Sequence, residues 1–229
     1  QKNLDDPDKV TGKTKYGIDI QLPGMKWAAI RSCPVYGGDV RSYDFDAIAN
    51  MPGVQSAFQF PIPDPALTRG RVFSGGVAVI GDTWYQANEA LKQMPIEWDI
   101  PPENAAFNSA NMQEALLASL EQPGTVRVDQ GNVEQAFNES EQDANQQIVE
   151  ATYSTPYLPR ARMEPGNATV LVTDERVDIW IGDQSPQETR FSAATITGIP
   201  EANVYLHQCH LGGGFGRNGN GPQAEQAIM

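Results

Sequence analysis

A chain of 229 residues with 29 acidic against 16 basic side chains carries a formal charge of −13, which removes the attraction that nucleic acid and anionic membrane surfaces require of a partner. Its length suits two domains, and 40% hydrophobic with 8% aromatic residues is ordinary globular composition, outside the depleted range of disordered chains. No apolar run approaches the roughly 18 residues of a membrane span, and two cysteines without CxxC spacing, Cys33 and Cys209, supply neither a disulfide framework nor a zinc pattern.

The opening, QKNLDDPDKV, lacks the basic end and apolar stretch of a signal peptide and also an initiator Met, which leaves the compartment open. From residue 7 to residue 98 short apolar runs alternate with helical patterns. Residues 25–33 (MKWAAIRSC), 54–60 (VQSAFQF) and 76–82 (GVAVIGD) have strand length and are bounded by Pro and Gly. Residues 44–51 begin with Asp and stop at Pro52-Gly53, and residues 83–94 open with Thr83 and stop before Pro95, so both are expected to be helices. Strands interleaved with helices over so short a stretch predict a small α+β domain, with Trp27, Phe58 and Val79 in its core.

Residues 99–145 shift to Pro, Asn, Gln, Glu and Ser, and are expected to form a polar connector with two short helices, 111–122 and 132–141. From residue 146 onward strands are expected at 147–156, 168–174, 176–183 and 202–209, with Asp174-Glu175 as a hairpin turn. Residues 185–196 predict a helix capped by Ser185 with Pro186 in its first turn. The last residues, GPQAEQAIM, start as a helix does and run to Met229, so the chain reads as a piece of something longer.

Between the last strand and that helix lies HLGGGFGRNGNG, residues 210–221, with six glycines in twelve positions. Bare backbone lets N–H groups come close to a ligand, which suits an anion or an oxo group. Counted from Gly212, the dinucleotide pattern GxGxxG is not met, because Arg217 holds the third glycine position. The phosphate-loop pattern fails because Asn220 stands where the lysine belongs. A flexible strand-to-helix turn remains open on the glycines alone. Nearby, HQCH at residues 207–210 suggests a metal site, but on a strand His207 and Cys209 share one face while His210 turns to the other. Asn138 and Asn167 stand in N-x-[ST] sequons, which matter only in a eukaryotic secretory setting.

GGGFG after a strand, together with Gln184 within DIWIGDQSPQ and 31 residues before Phe215, resembles the molybdenum-binding subunit of the xanthine dehydrogenase and aldehyde oxidase family. Residues 195–206 (TITGIPEANVYL) are similar to the family's link between those two elements. Residues 8–38 resemble the opening of its α/β hammerhead domain, and residues 161–170 (ARMEPGNATV) its Met-Glu-Pro stretch. MEPGNAT and GGGFGR resemble more narrowly the isoquinoline 1-oxidoreductase beta subunits.

The resemblance implies an α+β fold, with an α/β hammerhead-like domain over 7–98, the connector over 99–145, and the first part of a molybdopterin-binding domain over 146–229. It implies a molybdenum hydroxylase large subunit that oxidises aldehydes or hydroxylates N-heterocycles with water as oxygen source, passing electrons to an iron–sulfur subunit or domain, in the bacterial periplasm or cytoplasm. Gln184, Gly212, Gly213, Gly214, Phe215, Gly216 and Arg217 are then the cofactor-binding residues. The Gln184 amide and the N–H groups of Phe215 and Gly216 face oxygens on molybdenum, and Arg217 either touches the pterin or is solvated. Glu164 is a packing or hydrogen-bonding residue or, alternatively, a catalytic carboxylate. Gly219 departs from the purine-contacting glutamate of xanthine-oxidising members, which puts purine specificity in doubt. The family's base glutamate is expected beyond Met229, so residues 1–229 alone are expected to be inactive and without molybdopterin. The competing expectation is a non-catalytic binding or assembly module that keeps the fold.

Overall fold

The computed structural model describes residues 3–62, 74–143, 145–215 and 223–229, so Gly216, Arg217 and Gly219 lie outside the described residues. The architecture mixes helix and sheet in two compact units, residues 1–106 with 160–229 and residues 107–159. Among the described residues no helix is long and apolar enough to cross a membrane.

The larger unit begins with the short helix α1 (Asp6–Val10), followed by strands β1 (Trp27–Ser32), β2 (Asp39–Tyr43), β3 (Val54–Phe60) and β4 (Gly76–Gly81). β4 lies between β1 and β3, antiparallel to both, with Val79 opposite Ala29 on one side and Ala57 on the other. A central strand covered on both faces has no reason to alternate polar and apolar residues, and GVAVIG is buried at every position but Ile80. Helix α2 (Trp84–Gln93) packs its Ala87, Ala90 and Leu91 stripe on this sheet, the i, i+3, i+4 spacing of one helix face. Thr83 caps it by accepting from the Gln86 N–H at 3.2 Å, as the sequence predicts. After α2, β5 (Ile96–Asp99) pairs with β2 through a bulge between Val40 and Ser42.

Of the expected core residues Val79 is fully buried, Trp27 is half-buried and Phe58 is 36% exposed. Phe58 belongs to β3, an edge strand of its sheet, where alternate side chains face outward. Residues 44–51, expected as a helix, form successive turns, with Ile48 N–H bonded to Phe45 and Met51 N–H to Ile48. Pro52-Gly53 follows too soon for i→i−4 bonds to propagate.

The same unit contains a second sheet, β6 (Thr169–Val172), β7 (Val177–Ile181) and β8 (Val204–Gln208), with β7 in the middle, antiparallel to β6 and parallel to β8. β6 turns into β7 through Asp174-Glu175, closed by Thr173 and Arg176. A parallel pair needs a crossover, supplied by α5 (Pro186–Thr197), which ends at Gly198 in the left-handed region at φ 73°. The last helix, α6 (Gln223–Ile228), packs against α5 and β6. Val177, Ile179, Ile181, Ala193, Ile199, Val204 and Ala224 form the core here.

In the smaller unit α3 (Ser109–Ser119) and α4 (Val133–Gln142) are capped by Asn108 and Asn132, whose side chains accept from Asn111 and Gln135 N–H groups at 3.0 and 2.9 Å. Neither helix buries a residue. Residues 147–156, expected as a strand, carry no regular structure, because no described strand pairs with them to satisfy a ladder.

Candidate functional site

Because β7 and β8 are parallel and in register to Ile181 opposite Gln208, both chains leave the sheet at the same edge. The carboxyl ends of adjacent parallel strands are where open α/β sheets hold ligands. Gln184 lies in the turn after β7, and Gly212, Gly213, Gly214 and Phe215 lie in the loop after β8. The two segments touch. Cys209 N–H bonds Ile181 O at 2.9 Å, Gln208 Nε2 donates to Asp183 O at 2.9 Å, and a Cβ on Gly182 would stand 3.0 Å from His210 O.

Gln184 is exposed at the start of α5, where the turn is shaped by its neighbour. Asp183 is buried; its carboxylate accepts from Ser185 N–H at 2.8 Å and from the Thr189 hydroxyl. The predicted Ser185 side-chain cap is not formed. Asp183 holds the entry instead, because a carboxylate two residues before the first free N–H reaches it in an Asx turn. The spacing of Asp183, Ser185 and Thr189 was the sequence signal for it.

The glycine loop is pinned by Glu164 from the Met-Glu-Pro stretch. Gly212 N–H donates to Glu164 Oε2 at 2.7 Å, and Glu164 N–H donates back to Gly212 O at 3.1 Å. The other oxygen, Oε1, accepts from Ile18 N–H at 3.2 Å and Asn167 Nδ2 at 3.0 Å. A side chain on Gly212 would strike Glu164, so the missing Cβ makes room for this carboxylate arm. Beyond it, Gly213 has φ 108° and Phe215 has φ 46°. A non-glycine residue held in the left-handed region costs about 1–3 kcal/mol and is characteristic of ligand clamps. Phe215 is also 71% exposed, with its carbonyl accepting from Arg160 Nε at 3.0 Å. Arg160 carried no distinguishing pattern in the sequence.

His207 is used otherwise than as a metal ligand. Its ring stacks on Trp180 with centroids 4.6 Å apart, and Nε2 lies 2.7 Å from Asp178 Oδ1. Since a carboxylate only accepts, Nε2 carries the proton. Arg176 grips the same carboxylate at 2.5 and 2.6 Å, and its guanidinium lies 3.9 Å from the Tyr205 ring centre. Hydrogen bonds from Arg176, then His207, hold the Asp178 carboxyl below its ordinary value, while burial pushes the Cys209 thiol up. Among the described residues no group of three His, Cys, Asp or Glu side chains stands where it could hold a metal ion.

A lowered folded-state pKa means that Asp178 contributes stability above the unfolded carboxylate value of about 3.9, and that this is lost as pH falls through the folded value. The difference in Tm between the natural chain and Asp178→Asn is therefore expected to be largest near neutrality and to shrink below about pH 4. Thermal unfolding across pH 2.5–7 checks it; a pH-independent difference would assign the effect to shape rather than charge.

Residues 118–229 match the molybdopterin cofactor-binding domain family. The chain is 27% identical over 226 residues to the isoquinoline 1-oxidoreductase subunit beta of Brevundimonas diminuta, covering 93% of the chain and 26% of that protein. It is 29% identical over 223 residues to the membrane-bound aldehyde dehydrogenase [pyrroloquinoline-quinone] of Gluconacetobacter polyoxogenes, covering 96% and 27%. Among solved structures it is similar to the aldehyde oxidoreductase of Desulfovibrio gigas, with a TM-score of 0.68 at 18% identity over 98% of the chain and 28% of that one. This last likeness is one of fold. The chain spans about a quarter of the length of these two curated relatives.

Proposed function

We propose, from the match of residues 118–229 to the molybdopterin cofactor-binding domain family, that the chain is part of a molybdenum hydroxylase large subunit acting on aldehydes or N-heterocycles. In this reading residues 7–98 are the α/β hammerhead-like domain, 99–145 a connector, and 146–229 the opening of the cofactor domain. An iron–sulfur subunit or domain takes the electrons.

One observation carries the reading: the Gln184 turn and the glycine loop leave parallel strands β7 and β8 at one edge, with Phe215 exposed and held at φ 46°. The donor set fits the group. A side-chain amide and loop N–H groups are neutral donors suited to the oxygens of an oxo-metal centre, which brings its own metal ligands in the pterin. When bound, the cofactor supplies oxygen transfer and two-electron redox chemistry.

The chain's own residues bind and orient. The Gln184 amide and the Phe215 N–H would hold oxygens of the metal centre, a role also expected of Gly216, which lies outside the described residues. Gly212, Gly213 and Gly214 would permit the close backbone path; Arg217, the remaining expected contact, lies outside the described residues. Because these donors sit on a strand end and a pinned loop, they need little reorganisation as charge develops, which is where such donors contribute most. The test is expression of the full-length protein with its iron–sulfur partner, followed by molybdenum analysis and turnover of an aromatic aldehyde and an N-heterocycle. Near-equimolar molybdenum with turnover of either substrate is expected; a protein that binds no molybdopterin would overturn the reading.

A further inference from the structure

Glu164 ties together three segments that are remote in sequence. Its two oxygens accept from three N–H donors: Gly212 at 2.7 Å, Asn167 at 3.0 Å and Ile18 at 3.2 Å. The backbone bond from Glu164 N–H to Gly212 O closes a two-way grip on the loop. Space has been cleared on both sides. A Cβ on Gly212 would meet Glu164, and one on the buried Gly17 would stand 2.6 Å from Asn167 Oδ1. Tyr16 pairs with His210 just ahead of the loop, so residues 16–18 and 164–167 together flank its first turn. Glu164 and Gly182, two residues before Gln184, also line the same small cleft.

We propose that Glu164 is a positioning residue whose carboxylate fixes the start of the glycine loop, and with it the direction of the backbone amides that follow Gly212. The proposal rests on the molybdenum reading for what those amides bind, and on geometry alone for the grip itself. The chemistry demands a carboxylate. Two oxygens with four lone-pair sites accept all three donors, whereas an amide of the same shape has one oxygen and must turn an NH₂ toward an N–H group. Glu164→Gln therefore keeps the volume and the backbone bond to Gly212 but removes the charge and sets an NH₂ against at least one of the three N–H donors. A merely space-filling Glu164 tolerates that change.

The experiment compares full-length protein, with its partner subunit, carrying Glu164 or Glu164→Gln, by hydrogen exchange of the peptide spanning residues 211–217 and by steady-state kinetics per bound molybdenum. Loss of a charge-assisted acceptor predicts exchange at the loop faster by about tenfold or more, with the core strands unchanged, and kcat lower by about tenfold or more at little-changed KM. Unchanged loop exchange overturns the proposal. So does faster exchange with kcat intact, which would make Glu164 a tether without influence on the amides. A natural protein devoid of molybdenum removes the functional reading by itself, and the exchange comparison then tests the grip separately.

Discussion

Gln184→Ala in the full-length protein is expected to lower turnover by about two orders of magnitude while molybdenum content and folding stay close to normal, since one preorganised donor to a developing oxyanion is worth roughly 10²–10³ in rate. The turn that carries Gln184 is held by its neighbours. Asp183 holds Ser185 and Thr189, and Gln208 holds the Asp183 carbonyl. An exposed residue on so well-fixed a turn can be truncated with a stability change within about 0.5 kcal/mol. Kinetics normalised to bound molybdenum separate the outcomes. A rate within threefold of the natural protein would remove Gln184 from the site and leave the glycine loop alone to support it.

The largest effect on stability is expected at Ile179. It lies at the middle of β7, fully buried, opposite Val170 on β6 and Leu206 on β8. Ile179→Ala removes three carbons from a position walled by two strands and α5, where the neighbours cannot close in, and is expected to cost about 2–5 kcal/mol. Urea unfolding followed by circular dichroism measures it; a loss below about 1 kcal/mol would mean that this core is loosely packed. β7 carries the Gln184 turn and, through its pairing with β8, sets where the glycine loop leaves the sheet. Ile179→Ala is thus expected to weaken cofactor retention along with stability, which distinguishes it from Gln184→Ala.

Local patterns in the sequence were informative where the cause is local. The Thr83 cap and the Pro95 stop delimit α2 because capping and proline exclusion act within a turn of helix. The Asp174-Glu175 hairpin and the strands beside it follow from the same short-range chemistry. Residues 147–156 show the converse. Their apolar content suited a strand, yet a strand exists only through its partner, and periodicity says nothing about whether one is present. Likewise β2 and β5 are too short and too polar to stand out, and they exist because each completes the other's ladder.

For the site, the sequence by itself determined which residues to watch: Gln184, the glycines at 212–214, and Phe215, through composition, spacing and the family resemblance they carry. Tertiary structure alone decided that the Gln184 turn and the glycine loop share one edge, because parallel pairing of β7 with β8 is a contact between residues far apart in the chain. It also decided the work of Glu164. A carboxylate's partners are whatever backbone N–H groups the fold brings within about 3 Å, and for Glu164 these lie at Ile18 and Gly212, one on each side of it and remote in sequence. Hydrogen bonds of that reach leave no mark in local sequence, since neither the spacing nor the residue types at their two ends are constrained until the chain has folded.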